Sequence, residues 1–275
     1  MELLFLLAVL CYMLSSAWYF AFLFFQKKRL RQTGCCLLAA GFGLQTLEIA
    51  VAFARCGHIP AGNLHETLAI CAWALVGAFL VFQYRYRVNI LGIYAAPMAA
   101  LILVASAHLP RATASRPDLF KSFWLVVHII TIFLGDAALA LACGVGILYL
   151  LQENAIKRKN PGFFFRRLPS LDRLDTTGHA CIVTGFTLLT IGIITGMIYA
   201  RAVWGHFWTW DPKEVWSAVT WVFYAALLHE RLAVGWRGRR AAIMAIVGFA
   251  VLLFTFLGVN FLLQGHHGQF MKPKQ

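Results

Sequence analysis

Acidic side chains are scarce in this sequence: 11 Asp and Glu among 275 residues, against 24 Lys and Arg. Charged residues of both signs make up 13%, about half the share in a soluble globular chain, while 61% are hydrophobic. No stretch reads as a separate soluble domain, and no strong internal repeat is present. Cysteine occurs at Cys11, Cys35, Cys36, Cys56, Cys71, Cys143 and Cys181, but never as CxxC and never in a zinc spacing. Most of these thiols fall inside apolar runs, where a buried, inert thiol is the expectation, and this argues against a redox role. A basic start is also missing. The chain opens Met-Glu, and Lys27, Lys28, Arg29 and Arg31 follow the first apolar run rather than precede it. That order is not the pattern of a cleaved signal peptide and predicts an uncleaved first helix.

What the sequence has instead is a succession of apolar runs, several long enough to cross a bilayer as a helix. They cover about 3–25, 34–54, 67–83, 90–107, 122–151, 179–200, 214–232 and 241–263. The expectation is an all-α integral membrane protein with about eight transmembrane helices, forming a single polytopic domain over 1–275. Alternate connections divide the basic residues sixteen to eight. The denser set runs from Lys27 to Arg240, includes the long basic loop at about 152–178, and faces the cytoplasm by the positive-inside rule. Both termini then lie on the outer, periplasmic side. The net charge of +13 is loop bias of this kind, so no nucleic-acid partner is expected.

One outer connection stands apart. Trp204-Gly-His-Phe-Trp-Thr-Trp-Asp-Pro-Lys-Glu214 holds Trp204, Trp208 and Trp210 just before a helix start. Asp211 suits the N-cap, Pro212 the first helical position, and Glu214 completes a capping box. Asn63-Leu-His-Glu66 repeats the device at the third span. Interfacial aromatic belts account for scattered tryptophans, but five of nine fall between Trp204 and Trp221. Such a flat surface suits a flat, apolar, polarisable ligand.

The predicted topology sorts the nine histidines. His58, His65, His108, His206, His266 and His267 fall in outer loops, and His128 near the outer end of the fifth span. His179 and His229 fall toward the cytoplasmic ends of the sixth and seventh. Each alone reads as an interfacial polar residue. Together, His128 and His267 flank the tryptophan loop, and two imidazoles on opposite sides of one site give six-coordinate haem iron. His229, beside Glu230 and Arg231, reads either as a snorkelling residue or as the axial ligand of a second haem. Glu48 and Asp136 lie well inside their spans and receive no assigned role.

These residues resemble a known family. The tryptophan stretch is similar to the WWD signature of haem-handling proteins, and its Asp-Pro-Lys-Glu ending resembles the CcsA (ResC-like) branch of system II cytochrome c biogenesis. Gly62-Asn-Leu-His-Glu-Thr-Leu68, Trp124-Leu-Val-Val-His128, Ala226-Leu-Leu-His229-Glu-Arg and Gly258-Val-Asn-Phe-Leu-Leu-Gln-Gly-His-His267 resemble further segments of that family, and the likeness spans about 63–267.

The resemblance implies a haem-translocating and haem-presenting subunit of a cytochrome c synthase. Haem b would be the cargo, with His229 ligating it within the membrane. His128 and His267 would hold it at the outer site formed by Trp204, Trp208, Trp210 and Asp211. There it would meet the CxxCH thiols of an apocytochrome c. A CcsB/ResB-type membrane protein is the implied partner, with thiol-reducing proteins upstream. The implied location is the bacterial cytoplasmic membrane, or the thylakoid membrane in a plastid. The alternatives are a haem carrier that loads a chaperone, as in the CcmC branch, a bis-histidine electron-transfer subunit, and a haem-free permease. Arg201 or Lys213 is expected to meet a haem propionate. Two residues depart from the family pattern: His65 stands where Tyr is frequent, and Asp136 where an aromatic is common.

Overall fold

Each apolar run folds as a helix, because backbone groups inside a membrane must be paired within their own segment. The computed structural model describes residues 2–110, 121–158, 162–163 and 165–259. The helices are α1 (Glu2–Phe25), α2 (Lys28–Cys56), α3 (Leu64–Tyr86), α4 (Gly92–Ala107), α5 (Phe123–Lys157), α6 (Leu171–Trp204), α7 (Pro212–Ala233) and α8 (Arg239–Leu253). A π-helical turn over Phe254–Gly258 continues α8. No strand occurs among the described residues. The chain is an all-α integral membrane protein, and seven of these helices are long and apolar enough to cross a bilayer. The exception is α7, whose 22 residues include Lys213, Glu214, Ser217, Thr220, His229, Glu230 and Arg231.

The most extensive packing joins α5 to α6. Its seam rests on Gly178, Gly185 and Gly192, spaced seven apart on α6. A Cβ on Gly185 would stand 2.6 Å from Leu139, and one on Gly192 would stand 2.5 Å from Ile132. Small residues at a seven-residue period let two helices approach closely along a long left-handed seam, which supplies the van der Waals contact that holds membrane helices together. Polar side chains tie the first three helices. Tyr12 Oη donates to Gln45 at 2.8 Å, and Gln45 Nε2 donates to the Ala69 carbonyl at 2.7 Å.

Several helices overrun the predicted spans, and α5 and α6 are the longest. At 35 and 34 residues, α5 and α6 are each about 50 Å long at 1.5 Å per residue, against a hydrocarbon core of about 30 Å. The loop predicted at 152–178 shrinks to 158–170, and the Asp-Thr-Thr-Gly before His179 lies inside α6 rather than at its start. Ser170 is the true N-cap, its Oγ accepting from the Arg173 amide at 3.4 Å. Hydropathy marks where a helix leaves the membrane, not where it ends, and the charged stretch around Asp172 and Arg173 continues the helix in water.

The helix starts at α1, α3, α5 and α7 share one end of the bundle with the finishes of α6 and α8. There the Phe5 ring lies 5.2 Å from that of His65, whose Nδ1 donates to the Ser106 carbonyl at 2.8 Å. This is the cavity end. At the opposite, basic end, Arg167 donates to the Phe24 carbonyl at 2.9 Å, and Glu153 pairs with Lys157 and Arg239, each at 2.8 Å.

Candidate haem-handling site

The tryptophan stretch folds around one carboxylate. Glu214 Oε2 accepts from the amides of Thr209 (2.8 Å) and Asp211 (3.3 Å), and its Oε1 accepts from Thr209 Oγ1 (3.0 Å). With both neighbouring amides turned toward Glu214, Trp210 takes a left-handed backbone at φ 59°. Such a conformation costs of order 1 kcal/mol or more in a bulky residue and persists only where its surroundings enforce it. Asp211, buried, caps α7 by accepting from the Lys213 amide at 2.9 Å. At α3 Asn63 caps the helix by accepting from the Glu66 amide, and Glu66 reaches back one residue further, to the Gly62 amide, both at 2.8 Å.

Behind this loop lies a cavity of about 250 Å³. Its walls are mainly apolar and come from α5, α6 (ending in Trp204), the first half of α7 and the end of α8, with Phe207 and Trp208 from the loop. Trp204 meets Tyr199 edge-on at 6.2 Å, and Trp208 meets Trp210 edge-on at 6.1 Å. Trp210 itself is 77% exposed and lies outside the cavity wall. The π-helical turn contributes Thr255 and Phe256, with Thr255 Oγ1 held 2.8 Å from Thr220 Oγ1. Single π turns inside α-helices are frequent at functional sites.

His128 lines this cavity, and two glycines of α6 fix its ring. Nδ1 lies 2.7 Å from the Gly192 carbonyl. A carbonyl oxygen only accepts, so Nδ1 carries the proton and the lone pair sits on Nε2. A Cβ on Gly196 would stand 2.7 Å from Nδ1, so only glycine leaves room for the imidazole there. A histidine that donates one ring N–H to a backbone carbonyl while its ring lines a cavity resembles a metal-ligating imidazole held by its outer partner.

Family membership follows from comparison with known proteins. The profile of the cytochrome C assembly protein family matches residues 61–267. The chain belongs to this family. Within it the chain is CcsA-type. It is 34% identical over 247 residues to the cytochrome c biogenesis protein CcsA of Prochlorococcus marinus strain MIT 9301, covering 82% of this chain and 80% of that relative. The corresponding protein of Guillardia theta is 33% identical over 241 residues, covering 81% and 80%. A solved structure, the cytochrome c heme lyase CcmF, superposes with a TM-score of 0.62 over 98% of this chain at 16% identity, and shares its fold. The chain spans only 48% of the length of CcmF. Membership of the assembly family places this multi-pass membrane protein in cytochrome c maturation, whose substrates are haem and apocytochrome c.

The expected site residues fall in three groups. His128, Trp204 and Trp208 converge on the cavity, while Trp210 and Asp211 shape the loop beside it. His267 lies outside the described residues. His229 is elsewhere, 17 residues along α7 from Pro212 and about 26 Å away along the axis. It is exposed, on a stripe with Val219, Val222 and Ala226 that faces away from α6 and α8. Two residues after it, Arg231 turns inward and grips both carboxylate oxygens of Asp175 at 3.0 and 2.6 Å. The Gly238 amide donates to the same carboxylate at 2.9 Å. Positions two apart on a helix point to nearly opposite sides, so this lock turns His229 outward. His179 lies beside the lock and not beside His229, its Nδ1 buried without a partner among the described residues.

Sequence reasoning missed the glycine seat of His128 and left Asp136 without a role, although it lines the cavity together with Lys213, one of the two cations expected near a propionate. The spacing held a signal: His128, Ile132 and Asp136 recur every four residues and all line the cavity.

Proposed function

We propose that the chain is the haem-translocating and haem-presenting subunit of a system II cytochrome c synthase, and that the cavity beside the tryptophan loop is where haem is presented. The observation that carries this reading is the His128 imidazole, its Nδ1 proton held by the Gly192 carbonyl at 2.7 Å and its ring on the wall of an aromatic cavity. Haem supplies the vinyl groups across which each apocytochrome thiol adds, the sulfur bonding one vinyl carbon and the hydrogen the other.

The residues of this chain do the positioning. His128 takes one axial place on the iron from Nε2. Trp204 and Trp208 give the ring an apolar, polarisable seat. The Glu214-centred turn fixes their height over α7, and His267 supplies the opposite axial place. Holding haem and thiols in register turns a bimolecular addition into an intramolecular one, a gain that well-oriented pairs make without a general base.

His229 is the ligand of an earlier, membrane-embedded stage. Its outward direction supports a shared ligand set, completed by a membrane histidine of a CcsB/ResB-type partner. In this reading the single domain spans 1–275. The cavity and both termini face the periplasm of a bacterial inner membrane, or the thylakoid lumen in a plastid, and the basic end faces the opposite side.

Coexpression with a ResB-type partner and a CxxCH reporter tests the proposal. Haem should stay attached to the reporter after denaturation. Haem that reaches the reporter without covalent attachment would instead indicate a carrier.

A further inference from the structure

Two charged side chains reach the cavity and are used by neither the ligand set nor the aromatic seat. Asp136 lies eight residues beyond His128 on α5, about 12 Å deeper at 1.5 Å per residue. Lys213 enters from the first turn of α7, and both line the cavity. No hydrogen bond or ion pair holds either side chain among the described residues, and the two do not close to the 4.0 Å of an ion pair. The carboxylates whose fields reach Lys213 are those of Asp136 and Asp211. Asp211 is committed to its own helix, accepting from the Lys213 amide. Glu214, the third acid nearby, is occupied by the amides of Thr209 and Asp211. The other candidate cation, Arg201, is exposed, with its guanidinium on the Gly205 carbonyl and 5.5 Å from the Phe207 ring centre. An ammonium facing an apolar-walled cavity is costly unless an anion completes its shell. The start of α7 adds positive potential at the same place.

We propose that Lys213 is the carboxylate anchor of this cavity, taking one acidic side arm of a porphyrin, and that Asp136 is the counter-charge which that arm displaces. The inference rests on the haem reading of the cavity and adds a specificity element to it. The apolar walls and His128 recognise the ring and its iron; Lys213 selects the acid-bearing edge and so fixes which edge points out. Asp136 favours Lys213 in the empty cavity and opposes the arm in the filled one. The pair therefore sets an affinity low enough for cargo to leave.

The test uses the full-length chain in nanodiscs, titrated with haem and with haem dimethyl ester, whose carboxylates are capped. Charge-assisted contacts are worth about 1.5–3 kcal/mol, so the wild type should prefer the free acid by roughly tenfold or more. Lys213→Met should bind both forms alike, Lys213→Arg should keep the preference, and Asp136→Asn should tighten the free acid several-fold without changing the ester. Equal binding of both forms by the wild type, or an undiminished preference in Lys213→Met, overturns the anchor. The axial-imidazole absorption provides the separate readout. If both porphyrins give a His128-dependent spectrum and no preference, the anchor falls while the haem site stands. If neither spectrum depends on His128, both fall.

Discussion

The two halves of α7 are built for opposite surroundings. In its first half Lys213, Ser217 and Thr220 turn toward the cavity, and Tyr224 continues the stripe into the core. In its second half the side chain of chemical interest, His229, turns away from the protein. Under the proposed function the first half works with groups of this chain alone, and the second needs a group from outside it. A histidine on an otherwise apolar, exposed stripe is a poor lipid contact, and under the proposed function a partner's helix is the surface that gives it a use. The difference teaches that one helix can present one face to a cavity and the opposite face outward when a lock fixes its rotation. Here the lock is Arg231 on Asp175, with side chains only 7% and 17% exposed.

The sharpest break in this comparison comes at His128. His128→Ala should reduce covalent haem on a CxxCH reporter to background, and small external imidazole should restore part of it; undiminished attachment would remove His128 from the ligand set. His229→Ala should cut the haem that copurifies with the complex by about tenfold or more, while added haem still reaches the outer cavity with its His128-dependent spectrum. Loss of both signals would mean that the two halves are one site.

Gly196→Ala probes the outer half alone. The new Cβ must displace an imidazole atom now 2.7 Å from its place, so outer haem affinity should fall about tenfold, with copurified haem unchanged. Asp175→Asn probes the inner half alone. It should cost about 1–3 kcal/mol, read as a lower thermal midpoint, and loosen haem retention in the complex while sparing titration of the outer cavity. Smallest of all, Trp210→Ala should change outer haem affinity by no more than about threefold, well below the effect of Trp208→Ala, because Trp208 lines the cavity and Trp210 does not.

Much of this arrangement was legible in the residues. The caps at Asn63 and Asp211 specify where α3 and α7 begin because their hydrogen bonds are local. Hydrophobic runs placed the helices because the bilayer imposes one length scale on each. The tryptophan cluster and His128 stood out because nothing in a membrane belt requires them together. What the residues hid depends on contacts between distant segments. The Gly192 carbonyl and the open space at Gly196 matter only because α5 crosses α6 there, although the Gly178, Gly185, Gly192 spacing announced a close seam. The reach of α6 beyond the bilayer escaped because hydropathy is blind to helix in water. Asp136 was left without a role because depth alone does not tell a packed acid from one on a cavity wall; the four-residue spacing from His128 does.

The low hydropathy of α7 has a consequence for how the protein is made. Seven helices can enter a bilayer on their own apolarity, but α7 carries Lys213, Glu214, Glu230 and Arg231 with much weaker apolar support. It is the segment least able to leave the insertion machinery alone, and its natural route is to partition together with α6 and α8, which shield its polar stripe. The cavity beside the tryptophan loop is then among the last features to form, once the flanking helices are in place.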